Sequence, residues 1–336
     1  MVGEKSPTQS GEDRLIAKYF GPLAKHPGAL GLADDAAVLT PPAGCDLVLT
    51  KDALVAGVHF FADDPPGAIA RKALRVNLSD LAAKGATPAG FLLALALPDG
   101  VTEPWLKAFA GGLGDDADAY GCPLLGGDTV KTPGPLMVSI TALGSVPHGS
   151  MVRRSGARAG DRVFVTGSIG DAALGLALRR DGDAARRWKL DAKLRDYLTD
   201  RYLLPQPRNA LAEALRAHAS AAMDVSDGLV GDFGKLCAAS SVSAEIDVAR
   251  VPLSGAARAA LAAEPALIET VLTGGDDYEI ICTMGERKAG ELRAAAIAAD
   301  VAVTEVGRIV PGEAAPRFIG ADGRPLSFAH ASFSHF

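Results

Sequence analysis

The sequence predicts an α/β protein of two domains, and three observations carry that expectation. Its 336 residues are about twice the length of a roughly 150-residue domain. Extended, apolar stretches are followed by segments with helical spacing, first over residues 47–84 and again from residue 162 onward. Between them PHGSMVRRSGARAG, residues 147–160, interrupts the periodicity with glycines and charges. A boundary is expected there, with domains over residues 1–148 and 149–336.

The elements follow in order. LVLTKDALVAGVHFF, residues 47–61, is rich in Val, Leu and Phe and is broken by Gly57. It predicts a strand with Asp52 at its end, a turn and a second short extended piece. PPGAIARKALRVNLSDLAAK, residues 65–84, starts with prolines, spaces Ile69, Ala73, Val76 and Leu81 for one helical face, and stops at Gly85. Asn77 and Asp80, three residues apart, share a face of that helix. A second amphipathic helix is expected over residues 103–120 and a long strand over 136–146. Past the boundary, RVFVTG predicts a strand running into GSIGD and an alanine-rich helix. That turn either offers helix N-terminal N–H groups to an anion or is only a tight strand-to-helix connection. Further helices are expected near residues 207–218 and 231–240, and a strand over 278–283.

Composition narrows the function classes. A formal net charge of -6 and dispersed Lys and Arg argue against nucleic acid or an anionic membrane as the main partner. The longest apolar runs, such as residues 91–97, fall well short of the roughly 20 residues that span a bilayer, and the polar start MVGEKSPTQSGEDR has no signal-peptide apolar region. A cytoplasmic protein is expected. Cys45, Cys122, Cys237 and Cys282 are scattered without a CxxC pair, so neither a zinc site nor a disulfide framework is indicated.

The chemistry lies in aspartates beside glycines or strand ends, in GLADDAAVL, LTKDALVAGVHF, NLSDLAAKGA, LLGGDTV and MDVSDGL. An isolated Asp in such a turn is usually a turn or cap residue. Convergence of several would cost about 4 kcal/mol for each pair of unit charges 4 Å apart at an effective dielectric near 20, and divalent metal is the natural relief. Oxygen-only ligands favour Mg²⁺ over zinc or copper. No GxxxxGK[ST] loop, HExxH or GxSxG is present, nor a GxGxxG between strand and helix.

The segment order GLADDAAVL, TKDALVAGVHF, NLSDLAAKGA, LLGGDTV, MDVSDGL and GGDDYEI resembles the thiamine-monophosphate kinase family, within the aminoimidazole-ribonucleotide synthetase-like superfamily. The resemblance spans nearly the whole chain. It implies an N-terminal α/β domain whose strands build a β-barrel across a homodimer interface, and a C-terminal α/β domain completing the active site. The implied reaction converts ATP and thiamine phosphate to ADP and thiamine diphosphate by direct in-line transfer, with several Mg²⁺ ions. Phosphoryl transfer between two anions depends on alignment and charge neutralisation, which such ions supply.

By the same resemblance Asp34, Asp35, Thr50, Asp52, Asp80, Asp128, Asp224 and Asp227 are metal ligands. Tyr120, Gly127, Asp128, Arg154 and Ser226 contact ATP, and His59, Asp276 and Phe333 contact the acceptor. No residue is assigned as acid or base. Two departures stand out. Lys51 replaces the family's hydroxyl residue before Asp52, so one metal site is in question unless Lys51 turns away and a backbone carbonyl or water serves. GGDDYE replaces the usual GGEDYE, giving Asp276 one methylene less reach. Related enzymes that bear a reactive N-terminal cysteine or a terminal cysteine fit less well, because the first cysteine is Cys45 and the last residue is Phe336. DALVAGVHF speaks against an aminoimidazole-ribonucleotide synthetase. A catalytically silent nucleotide-binding relative is the alternative of a different class, and Lys51 is its one support.

Overall fold

The computed structural model describes residues 11–332, which form two compact units. The first takes the described residues up to 43, 49–77 and 88–144, and the second takes 44–48, 78–87 and 145 onward.

Among the described residues the first unit is built on a four-stranded sheet in the order β1, β4, β2, β3. Its strands are β1 (Cys45–Val55), β2 (Thr87–Leu97), β3 (Leu124–Lys131) and β4 (Met137–Pro147). Alternation along the strands buries one face, with Leu54, Phe91, Leu93, Leu95, Val138, Ile140 and Ala142 all under a tenth exposed. The other face carries Lys51, Leu92, Asp128 and Thr141. Two helices supply further core residues. Pro66–Ala83 begins on its proline as expected and buries Ile69, Ala73 and Leu74, and Glu103–Ala119, capped by the Thr102 hydroxyl, buries Phe109 and Leu113. The helices meet at Gly67 and Gly112, where a Cβ on Gly112 would lie 2.4 Å from the Gly67 carbonyl oxygen. Arg75 grips Asp116 with two bonds of 2.6 and 2.9 Å across the same contact.

Two sequence expectations are corrected here. Asp52 lies inside β1, which continues to Val55, rather than at its end. Asp128 lies within β3, not in a turn. Gly126 and Gly127 suggest a turn by composition, yet β3 runs parallel to β2 with Leu93 opposite Gly127 and Ala94 opposite Asp128. A Cβ on Gly127 would sit 1.9 Å from the Leu93 carbonyl oxygen, so close strand approach is what demands glycine. Gly127→Ala is expected to cost at least about 2 kcal/mol through overpacking, read as a lower urea midpoint with an unchanged m-value.

The second unit holds a mixed six-stranded sheet in the order β10, β7, β9, β5, β8, β6. These are β5 (Arg162–Thr166), β6 (Ala221–Val225), β7 (Ser243–Asp247), β8 (Glu279–Met284), β9 (Val303–Val310) and β10 (Arg317–Ile319). All pairings are antiparallel except β10 with β7. Helices cover both faces, so the strands are apolar on both sides. Val163, Val165, Met223 and Ile281 face one cluster with Leu174, Leu198 and Phe233, from helices Asp171–Arg180, Ala192–Leu203 and Leu229–Ala239. Phe164, Ala222, Ile280 and Cys282 face the other, with Leu215, Leu292 and the helix-end residues Ala82 and Ala83. Asp224 shares the parity of Ala222, which turns it toward the face where the end of the Pro66–Ala83 helix packs.

Candidate active site

In the first unit, the open face of the four-stranded sheet forms the floor of a cavity of about 630 Å³. Asp34 and Asp35, from the bend at residues 34–36, line it together with Gly127, Asp128, Lys51 and Ser139. Asp128 reaches it because alternation sends every second β3 side chain to this face. Lys51 donates to the Ser139 hydroxyl at 2.7 Å, and Ser139 donates in turn to the Asp52 carbonyl at 3.1 Å. Thr50 and Asp52 have the parity of buried Leu54 and so belong to the opposite face of β1. Lys51 thus turns away from that pair, and its ammonium offsets charge in the cavity that Asp34, Asp35 and Asp128 line.

The remaining first-unit candidates stand apart from that cavity. His59 sits in a tight turn where its Nδ1 accepts from the Val55 N–H at 3.0 Å. Tyr120 caps the end of the Glu103–Ala119 helix, its ring centroid 5.8 Å from the Arg75 guanidinium carbon. Phe333 lies outside the described residues.

In the second unit the candidates gather at the end of β6. Asp224 is 4 % exposed, and burial, then the neighbouring Asp80 charge, push its carboxyl well above the usual range, against the Ser79 hydroxyl and Lys84. Lys84, one helical turn after Asp80, donates to the Ala222 carbonyl at 2.8 Å. Burial pulls its amine down to about 8, with Asp224 and Asp80 opposing and Arg154 assisting. Val152 N–H donates to the Lys84 carbonyl and Ala222 N–H to that of Arg153, which ties the Arg153–Arg154 segment to β6.

Ser226 and Asp227 follow in a loop held by Asp232, a residue the sequence reading missed. Fully buried Asp232 accepts their N–H groups at 2.9 and 2.8 Å, while Lys235 bridges Asp232 at 2.9 Å and Asp227 at 2.6 Å. Asp276 N–H donates to the Ser226 carbonyl at 2.8 Å, so the acceptor-contact candidate abuts the same loop. Asp276 and Tyr278 adopt left-handed φ values of 73° and 51°, a conformation the surroundings must enforce. The enforcing contacts come from the next residues. Asp277 takes the N–H groups of Gly170 and Ala172 at 2.7 and 3.3 Å, so the GSIGD turn gives its helix N-terminus to the protein's own carboxylate, and the strand-to-helix reading of it holds. Burial raises the Asp277 carboxyl against those bonds. Glu279, fully buried, receives Arg208 at 2.7 and 2.5 Å, Arg201 at 3.0 Å and the Thr166 hydroxyl at 2.7 Å.

Among the described residues no group of three or more His, Cys, Asp or Glu side chains is gathered to hold a metal ion by itself. The donors present nevertheless fit Mg²⁺, which is held by one or two carboxylates plus water and substrate phosphates rather than by an all-protein cage. Asp80 and Asp224 are such a pair, the Asp80 charge helping to raise the buried Asp224 carboxyl. Asp232, Lys84 and Lys235 carry no sequence signal beyond lying one helical turn or so from a candidate aspartate.

Residues 33–146 match the AIR synthase related protein, N-terminal domain, and residues 158–317 match the corresponding C-terminal domain. The chain is 46 % identical over 306 residues to a thiamine-monophosphate kinase of Caulobacter vibrioides, covering 89 % of this chain and 84 % of that one. It superposes on the crystal structure of thiamine-monophosphate kinase from Stenotrophomonas maltophilia with a TM-score of 0.82, 40 % identity and coverage of 94 % and 96 %. For AaThiL complexed with AMPPCP and TMP the TM-score is 0.75, with 31 % identity and coverage of 90 % and 91 %. With both domains matched in order and near-complete coverage of these relatives, the chain belongs to the thiamine-monophosphate kinase family, on the AIR synthase related fold.

Proposed function

We propose that the chain transfers the γ-phosphoryl group of ATP to the phosphate of thiamine phosphate, releasing ADP and thiamine diphosphate, by direct in-line displacement in the cytoplasm. A phosphate oxygen of the acceptor forms the new P–O bond as the bond to the ADP oxygen breaks. The attacking oxygen is already largely ionised near neutral pH, so no general base is needed. Asp34, Asp35, Thr50, Asp52, Asp80, Asp128, Asp224 and Asp227 would hold Mg²⁺ ions, which when bound would supply charge neutralisation for the crowded phosphate oxygens. Tyr120, Gly127, Asp128, Arg154 and Ser226 bind ATP, and His59, Asp276 and Phe333 receive the acceptor. Residues 1–148 serve nucleotide, metal and dimerisation, and residues 149–336 supply the remaining ligands.

The observation that carries this reading is the Asp80–Asp224 pair, two carboxylates set together where one is buried, an arrangement that calls for a divalent cation. A homodimer through the open sheet face is supported by Leu49, Leu92 and Val130, which are 63 %, 40 % and 48 % exposed. Sedimentation velocity checks it.

Purified protein given ATP, Mg²⁺ and thiamine phosphate is expected to form thiamine diphosphate, followed by chromatography, and to leave unphosphorylated thiamine unchanged. ATP binding without product would overturn the reading. A chirally labelled γ-phosphate is expected to invert; retention would indicate a phosphoenzyme.

A further inference from the structure

Lys72 is a charged residue with no part in the chemistry above, yet it is only 2 % exposed. Burying an ammonium is costly unless it is hydrogen-bonded, and Lys72 directs its Nζ to the carbonyl oxygen of His59 at 3.0 Å. The lysine lies in the Pro66–Ala83 helix, thirteen residues past the turn it holds.

That turn is closed from several sides. The Val55 carbonyl accepts from the N–H groups of Val58 and His59 at 3.1 and 3.0 Å, and Gly57 N–H donates to the Phe60 carbonyl at 2.8 Å. Buried Asp64 accepts the Phe61 N–H at 2.9 Å. The His59 ring folds back so that Nδ1 accepts the Val55 N–H. An imidazole nitrogen that accepts from a backbone N–H carries no proton itself, so the neutral ring keeps its proton on Nε2.

We propose that Lys72 is a positioning residue for His59: its ammonium locks the turn on the His59 carbonyl so that the ring presents Nε2–H as a fixed donor to the phosphate of the acceptor. The proposal rests on the reading of His59 as an acceptor contact. A fixed donor lowers the cost of ordering the site when the anion arrives. Loss of the lock therefore weakens acceptor binding and leaves nucleotide binding alone.

The test compares His59→Ala, Lys72→Met and Lys72→Arg with the parent enzyme. His59→Ala is expected to raise KM for thiamine phosphate about tenfold, and Lys72→Met about fivefold, with KM for ATP and kcat within about twofold of the parent. Lys72→Arg, which keeps the donor, is expected to recover part of the loss. If His59→Ala leaves KM for thiamine phosphate unchanged, the acceptor role of His59 falls and the inference with it. If His59→Ala raises it but Lys72→Met does not, or if Lys72→Met raises both KM values alike, the positioning role alone is overturned. Should Lys72→Met fail to fold, the ¹⁵N resonances of His59 in the parent enzyme decide. The Nε2-protonated tautomer is expected, and the Nδ1-protonated tautomer overturns the proposal.

Discussion

Asp128→Asn is expected to lower kcat by about a hundredfold or more while the protein stays folded. The substitution keeps the size of the side chain and removes its charge. Asp128 makes no side-chain hydrogen bond or ion pair with another described residue and is exposed within the cavity, so little folding energy depends on it. Its main-chain pairing with Ala94 in β2 does not involve the carboxylate. An asparagine oxygen remains a weak cation ligand, but on the proposed assignment of Asp128 as a Mg²⁺ ligand one unit of ligand charge is lost. Steady-state kinetics across a Mg²⁺ series, with thermal unfolding as control, measure this. Turnover within about threefold of the parent would remove Asp128 from the metal ligands.

Glu279→Ala is expected to destabilise the second unit by about 3–5 kcal/mol, the range for breaking a buried ion pair from one side. The reason is the two guanidinium groups left behind. The side chains of Arg201 and Arg208 are only 6 % and 16 % exposed, and Glu279 itself is fully buried. Thr166 also loses its acceptor, although its hydroxyl still accepts the Ile280 N–H at 2.8 Å. Urea unfolding reads the effect directly. Glu279→Gln, which keeps shape and an acceptor, is expected to lose less. A cost below about 1 kcal/mol for Glu279→Ala would mean that water reaches both arginines, contrary to the usual penalty for unpaired buried charge. Because Glu279 follows the strained Asp276–Tyr278 stretch, the alanine variant is also expected to raise KM for thiamine phosphate.

Much of this was legible from local sequence. The Pro66–Ala83 helix declared itself by prolines, spacing and a terminal glycine, and NLSDLAAKGA placed Asp80 on it. The order of the acidic segments carries the family resemblance on its own. What stayed hidden depended on distant partners. Gly126 and Gly127 resemble a turn until β2 is known to approach them. The GSIGD turn could not be distinguished from an anion site because its occupant, Asp277, lies 107 residues away in sequence. Strands β2, β3, β6, β7, β9 and β10 are not evident from sequence, since short apolar runs do not reveal which neighbour they pair with. Asp232, Lys84 and Lys235 are ordinary helix-surface residues in sequence, and their bonds to β6 and to the loop that follows it appear only in the fold. Lys51 illustrates the reverse case: a residue that looked like a defect is explained by the period-two geometry of the strand it sits on.

The placing of β5 between β8 and β9 has a consequence for synthesis on the ribosome. Val165 pairs with Ile281 and with Thr304, so the strand leaves the exit tunnel long before either neighbour exists. At about 5–20 residues per second, the interval from residue 165 to residue 281 is roughly 6–23 s. The first unit has all its residues by position 144 and is free to fold during that wait. β5, with its unsatisfied edges, cannot pair until β8 and β9 emerge, whereas Asp80 and Lys84 wait only for β6, which carries Ala222 and Asp224. Nascent chains halted between these points are expected to be protease-resistant over the first unit and to engage chaperones through the second.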